Sequence, residues 1–252
     1  ATRLQRAKYA CERTRQCPGV AAHGDHATLW QFHVYPPIAA PYTAQTSSVA
    51  AVMQETKLFY SPLWQDDLAA TTPDWQAHRE LMLNKVYALE KSGNGVQKTN
   101  YGGWQSDDEI YVHAEFGWLL NHIMRLSNSV ASAYSPGLNF NNGHIWANIN
   151  RKGHFNAVHT HPNALMSGVV YLKATGEEQG VIQFFDNREG SPTTHWNCFA
   201  PLVQRTPFTD DLHSVIPRDG VILFFPSWLR HWVMPNMSDD DRVSLSFNIR
   251  SE

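Results

Sequence analysis

The spacing of apolar positions changes character along this chain. Asp74-Trp-Gln-Ala-His-Arg-Glu-Leu-Met-Leu-Asn-Lys-Val-Tyr-Ala-Leu-Glu90 carries helical spacing, with Leu81, Val86 and Leu89 near one face. Asp74 is placed to cap its start, and Gly93-Asn-Gly95 to end it. A second helical stretch runs from about Asp107 to Val130, through Ile110, His113, Phe116, Gly117, Leu120, Ile123 and Met124. Ser106-Asp-Asp-Glu109 has the form of a capping box at its start. From about Gly143 the pattern turns to short apolar or alternating runs. Eight strands are predicted: His144–Asn150, His154–Val158, Leu165–Lys173, Val181–Phe185, Leu212–Ile216, Val221–Phe225, His231–Met234 and Val243–Ile249. Turn signals separate them, among them Arg151-Lys-Gly153, Asn187-Arg-Glu-Gly190 and Pro217-Arg-Asp-Gly220. The expected fold is α+β, mainly β: a double-stranded β-helix (jelly roll) with the preceding helices packed on one sheet.

Residues 1–57 have a different texture. Ile38 to Ala51 is small, polar and low in charge, and reads as a linker or loosely packed arm. The first twenty residues carry Arg3, Arg6, Lys8, Arg13 and Arg15 against Glu12, as a basic helix or arm does, or the tail of an organellar import sequence. The expected organisation is an N-terminal extension over 1–57 and one domain over 58–252, with helices in 74–130 and the jelly-roll core in 143–250. Composition then excludes several classes. A formal net charge of -3 gives no electrostatic case for nucleic-acid binding. No apolar run approaches the ~18–20 residues of a membrane helix. The three cysteines, Cys11, Cys17 and Cys198, form no zinc pattern and no even disulfide framework, which favours a reducing compartment and a cytoplasmic location. A homodimer is compatible with such a chain.

Histidine is the residue that changes the picture, with 13 copies. His159 and His161 stand two apart, so on a strand both imidazoles face one side and could converge on a metal. Alone the pair is close to background, since roughly 0.7 such pairs arise by chance in this composition. His231 follows the apolar run Val221-Ile-Leu-Phe-Phe-Pro226 and opens the next strand, at the rim of the expected core. Arg242 and Ser244 begin the last strand on one face, as a guanidinium and hydroxyl suited to a carboxylate. Each feature has an ordinary alternative: a backbone-bonded histidine, or an Arg242 paired with the acidic turn Asp239-Asp-Asp241.

Taken together these residues resemble the iron(II)/2-oxoglutarate-dependent oxygenases, and in particular a bacterial and phage subfamily. The resemblance extends over about residues 58–250. It rests on Leu58-Phe-Tyr-Ser-Pro-Leu-Trp64, Tyr101-Gly-Gly-Trp-Gln-Ser106, Trp146-Ala-Asn-Ile-Asn150, His159-Thr-His-Pro-Asn163, Ser167-Gly-Val-Val-Tyr-Leu172, Phe184-Phe-Asp-Asn-Arg188, Gly220 to Pro226, and Arg242-Val-Ser-Leu-Ser-Phe-Asn248. It implies iron(II) held by His159, His161 and His231, with O2 and 2-oxoglutarate as co-substrates. It also implies 2-oxoglutarate clamped by Arg242, Ser244 and Tyr171, and a hydroxylated product released with succinate and CO2. The chain departs from the wider superfamily at His161, where a carboxylate usually completes the two-histidine facial triad. His161 as ligand, water in its place, or Asp186 from a neighbouring strand are the three ways to fill that position, and three imidazoles also suit zinc. Asn148, Asn163 and Arg188 are candidates for contact with a small-molecule or peptidyl substrate, alongside the tryptophans near these blocks. Two other functions fit the same residues: a three-histidine iron dioxygenase that does not use 2-oxoglutarate, and a non-catalytic jelly-roll binding protein.

Overall fold

Val, Ile, Leu and Phe alternate with polar residues through the second half of the chain, and such strands must bury one face or both. The computed structural model describes residues 60–187 and 211–250. In it these strands form two antiparallel sheets. The strands are β1 (Trp64–Asp67), β2 (Asn100–Tyr101), β3 (Trp104–Gln105), β4 (Asn142–Asn150), β5 (Phe155–His159) and β6 (Met166–Lys173). They continue as β7 (Ile182–Phe185), β8 (Leu212–Val215), β9 (Val221–Pro226), β10 (His231–Val233) and β11 (Arg242–Arg250). The larger sheet has the order β1-β9-β6-β11-β4-β3, and the smaller one β2-β5-β10-β7-β8. All eight predicted strands are present, and β4 to β11 divide between the sheets as a jelly roll.

The helices α1 (Leu68–Thr71), α2 (Trp75–Ser92) and α3 (Gly117–Tyr134) share a core with the outer face of the larger sheet. Met82 and Val86 from α2 and Leu119 and Ile123 from α3 join Ile145, Val170, Leu245 and Phe247 from the strands. A second, inner cluster lies between the sheets, built from Val169, Tyr171, Ile182, Phe184, Leu223 and Phe225. The odd and even residues of β6 therefore enter different cores, which explains its nearly continuous apolar sequence.

Several local expectations change. Leu81 is 55% exposed, because the buried stripe of α2 runs through Trp75, Met82 and Val86. Asp74 precedes α2 but makes no side-chain capping bond. The second helix starts ten residues later than expected, at Gly117, after two short 3-10 turns over Ile110–Val112 and Ala114–Phe116. Ser106 does not act as a helix cap. Its hydroxyl donates to the Asp107 carbonyl and accepts from Ala147 N–H at 2.9 Å, tying this segment to β4. The tertiary bond outweighs the local motif. The short strands β1, β2 and β3 carry too few residues for a periodic signal. The extension expected over 1–57 lies outside the described residues. Among the described residues, no helix is long and apolar enough to cross a membrane.

Candidate active site

Three histidines meet because two strands pair. His231 opens β10 and stands directly opposite His159 of β5. His161 lies two residues beyond the end of β5, where its backbone N–H donates to the Ser227 carbonyl at 2.9 Å. The same-strand argument for His159 and His161 is therefore half right: the first is on the strand and the second is pinned just past it. The ring centroids are 4.9 Å apart for His159 and His161, 4.4 Å for His159 and His231, and 5.1 Å for His161 and His231. One nitrogen from each ring lies within 4.8 Å of those of the other two.

Second partners fix the tautomers. His159 Nδ1–H donates to the Ala157 carbonyl at 2.6 Å, and His231 Nδ1–H to the Leu229 carbonyl at 2.8 Å. A carbonyl only accepts, so each Nε2 carries a lone pair. His161 Nε2 and His231 Nε2 are 3.3 Å apart. Metal–imidazole bonds of about 2.0–2.1 Å meeting near a right angle place their nitrogens about 3 Å apart, so this spacing fits a shared cation. Burial, followed by the neighbouring imidazoles, pushes His161 down to about 3. Burial pushes His231 down to about 3 as well, with His159 adding to it, and lowers His159. All three are neutral at pH 7, the form that ligates a metal.

Those depressed values carry a consequence for stability. Unfolded histidines titrate near 6.5. Between about pH 6.5 and pH 3 the unfolded chain takes up protons that the folded cluster refuses. The contribution is complete above pH 6.5 and is lost as pH falls. Urea midpoints of the metal-free protein should therefore drop from pH 7 to pH 4.5, and the drop should be shallower in His161→Gln. An unchanged slope in that variant would remove His161 from the account.

Arg242 opens β11 and is 1% exposed. Its Nη1 donates to the Gly180 carbonyl at 2.9 Å, the Met234 carbonyl at 3.1 Å, and the Gln179 carbonyl. Gly180, at φ 83°, approaches this closely because a Cβ there would strike the Met234 carbonyl and the guanidinium. The acidic turn does not neutralise Arg242. Asp239 pairs with Lys152, Asp240 with Lys173 and Asp241 with Arg151, so the ordinary surface-pair reading is wrong. Burial lowers Arg242 to about 10, which leaves it charged at neutral pH. Among the described residues its Nη2 is buried with no hydrogen-bond partner, and so is the Tyr171 hydroxyl. Tyr171 of β6 stands opposite Ser244 of β11, and Ser244 opposite Asn148 of β4. Burial pushes the Tyr171 phenol up to about 12, so it remains a hydrogen-bond donor.

A cavity of about 320 Å³ is lined by His159, His161, His231, Arg242, Ser244 and Tyr171 together. Asn148 lines it too, 4% exposed and with its Oδ1 unpartnered, as does Trp146, whose ring lies 5.8 Å from His161. The structure does not bring in the other candidates. Asn163 is an exposed turn residue at φ 66°. Asp186 follows β7, outside both the cavity lining and the converging ligand group, because its backbone N–H pairs with the Asp211 carbonyl beside β8. Arg188 and Trp196 lie outside the described residues. Sequence reasoning missed Gln105, Asn156, Lys98 and Asp108, which also line the cavity. Gln105 reaches the site only because β3 pairs with β4, a pairing no local pattern encodes.

Residues 144–248 match the family described as "Putative 2OG-Fe(II) oxygenase". The match covers the jelly roll and is narrower than the 58–250 expected from sequence. No curated protein matches the chain. Among solved structures, a Pseudomonas putida prolyl-4-hydroxylase is similar at 15% identity and TM-score 0.54, over 76% of this chain and 94% of that one. HygX from Streptomyces hygroscopicus, with nickel and 2-oxoglutarate bound, is similar at 13% identity and TM-score 0.53, over 75% and 83%. A Trichoplax adhaerens prolyl hydroxylase, in complex with a peptide fragment of hypoxia inducible factor, gives 11% identity and TM-score 0.53, also over 75% and 83%. At these identities the likeness shows the fold alone. The description of the matched family names iron(II) and 2-oxoglutarate. The site fits them: neutral imidazoles converge on one point, and the Arg242 Nη2 and the Tyr171 hydroxyl, both buried without a partner among the described residues, belong to residues lining the same cavity.

Proposed function

We propose that this chain is an iron(II)- and 2-oxoglutarate-dependent oxygenase that hydroxylates its substrate, with His159, His161 and His231 holding iron(II) and Arg242 seating the far carboxylate of 2-oxoglutarate. The observation that carries this reading is the buried, unpartnered pair of Arg242 Nη2 and Tyr171 hydroxyl in the histidine-lined cavity. A buried donor without an acceptor costs about 1–3 kcal/mol, and more when charged. A carboxylate accepting from both removes that cost and gains charge-assisted bonds. Ser244 stands beside Tyr171 and adds a hydroxyl donor.

Bound iron(II) supplies the centre that couples oxidative decarboxylation of 2-oxoglutarate to insertion of one oxygen atom into a substrate C–H bond, with succinate and CO2 released. The chain's own residues bind, orient and exclude water. The carbonyls of Ala157 and Leu229 hold the His159 and His231 rings with Nε2 forward. Val169, Ile182 and Phe225 supply the apolar wall of the cavity, which keeps water from competing at the metal.

Protein loaded with iron(II) should convert 2-oxoglutarate to succinate slowly without added substrate, and N-oxalylglycine should suppress that conversion. Stoichiometric metal with no 2-oxoglutarate binding would point instead to a non-catalytic binding module. Oxygen uptake with no succinate would point to a three-histidine dioxygenase of another type.

A further inference from the structure

Strands β4 and β11 pair without interruption over nine residues each, from Arg242 opposite Asn150 to Arg250 opposite Asn142. One face of this pair is apolar throughout: Ile145, Ala147, Ile149, Val243, Leu245, Phe247 and Ile249 enter the helical core. On the other face β11 carries Arg242, Ser244, Ser246, Asn248 and Arg250, all polar. The first four of those line the cavity, and strand alternation puts Arg250 on the same face. The metal-binding cluster falls midway, beside Trp146, which pairs with Ser246. Ser246 is four positions from each arginine, about 13 Å of strand either way.

The two ends differ in burial. At the Arg242 end Asn150 and Arg242 are each 1% exposed, whereas Asn142 at the Arg250 end is open to solvent. The Arg242 end is a closed seat and the Arg250 end an open one. Among the described residues, both hold buried nitrogens without partners: Arg242 Nη2 at one, Arg250 Nε and His144 Nδ1 at the other. His144 stands opposite Asn248. Asn248 Oδ1 is occupied by the Ser167 hydroxyl at 2.7 Å, so its amide N–H groups are left to donate. Among the described residues no salt bridge neutralises Arg250.

We infer that the open end is the substrate side, and that Arg250, with His144 and Asn248, anchors a carboxylate of the substrate. The reacting C–H group then lies several bonds from that carboxylate, towards the histidines. This inference rests on the assignment of the Arg242 end to 2-oxoglutarate. It makes the substrate an organic acid, or an acidic residue, rather than a neutral or cationic molecule.

Trifluoroacetate is a suitable carboxylate probe, read by fluorine NMR on protein loaded with manganese(II) and saturated with 2-oxoglutarate. Wild-type protein should broaden the probe signal well beyond the zinc-loaded control, because the bound probe lies near the metal. Arg250→Gln should remove at least nine-tenths of that excess, and His144→Phe part of it. Broadening equal to the zinc control would overturn the inference, as would full broadening in Arg250→Gln. Broadening that disappears as 2-oxoglutarate is raised would place the probe in the Arg242 seat and overturn it as well. Failure of 2-oxoglutarate itself to bind the loaded protein would instead refute the proposed function, so the two outcomes are distinguishable.

Discussion

Arg242→Met should abolish measurable 2-oxoglutarate binding. The guanidinium is buried, is held by three carbonyls rather than by an acid, and keeps Nη2 unpartnered. Removing one member of a buried charge pair costs about 2–5 kcal/mol, so the dissociation constant should rise by about two to three orders of magnitude. Met fills similar volume but leaves the Gln179, Gly180 and Met234 carbonyls without their donor, and the variant will also lose stability. Tyr171→Phe separates the two effects. It deletes one hydroxyl that has no partner in the ligand-free protein. A hydrogen bond to a charged group contributes about 1.5–3 kcal/mol, so 2-oxoglutarate affinity should fall by about ten- to a hundred-fold. The ligand-free melting temperature should stay level or rise, because an unsatisfied buried polar atom is gone. Calorimetric titration and thermal unfolding check both halves. Unchanged affinity in Tyr171→Phe would remove the phenol from the carboxylate seat.

His231→Ala should cost the protein its metal. His231 is 3% exposed, shares the cluster with His159 and His161, and is aligned by the Leu229 carbonyl. Loss of an outer partner alone typically weakens metal binding about 10–100-fold; loss of the ligand should exceed that. His161→Ala is the more discriminating variant. A comparable loss of iron would show that His161 completes the metal shell in place of the usual carboxylate. Full iron occupancy in His161→Ala would leave that position to water. His161→Asp should retain iron, because it rebuilds the two-histidine, one-carboxylate set. Iron content after gel filtration reads all three variants.

The sequence by itself determined the jelly roll. Its eight strands were legible as short alternating or continuously apolar runs, separated by turn residues such as Gly153, Gly176, Pro217 and Asn236. It also singled out His159, His161, His231, Arg242, Ser244 and Tyr171, which all line one cavity. The family model then matched only residues 144–248, the part in which strand periodicity is strongest. Tertiary structure decided the rest. Pairing of β5 with β10 brings His231 against His159 across 72 residues of chain, from position 159 to 231, and no local pattern encodes that register. Ser106 read as a helix cap because the motif is local, yet its hydroxyl serves β4 instead. Taken alone, Arg242 read better as a surface partner of the acidic turn. Only packing shows that other cations take those carboxylates, and that Arg242 keeps its charge inside without an acid. Short-range periodicity is written in neighbouring side chains. Register, burial and the absence of a partner are properties of residues that meet only when the chain has folded.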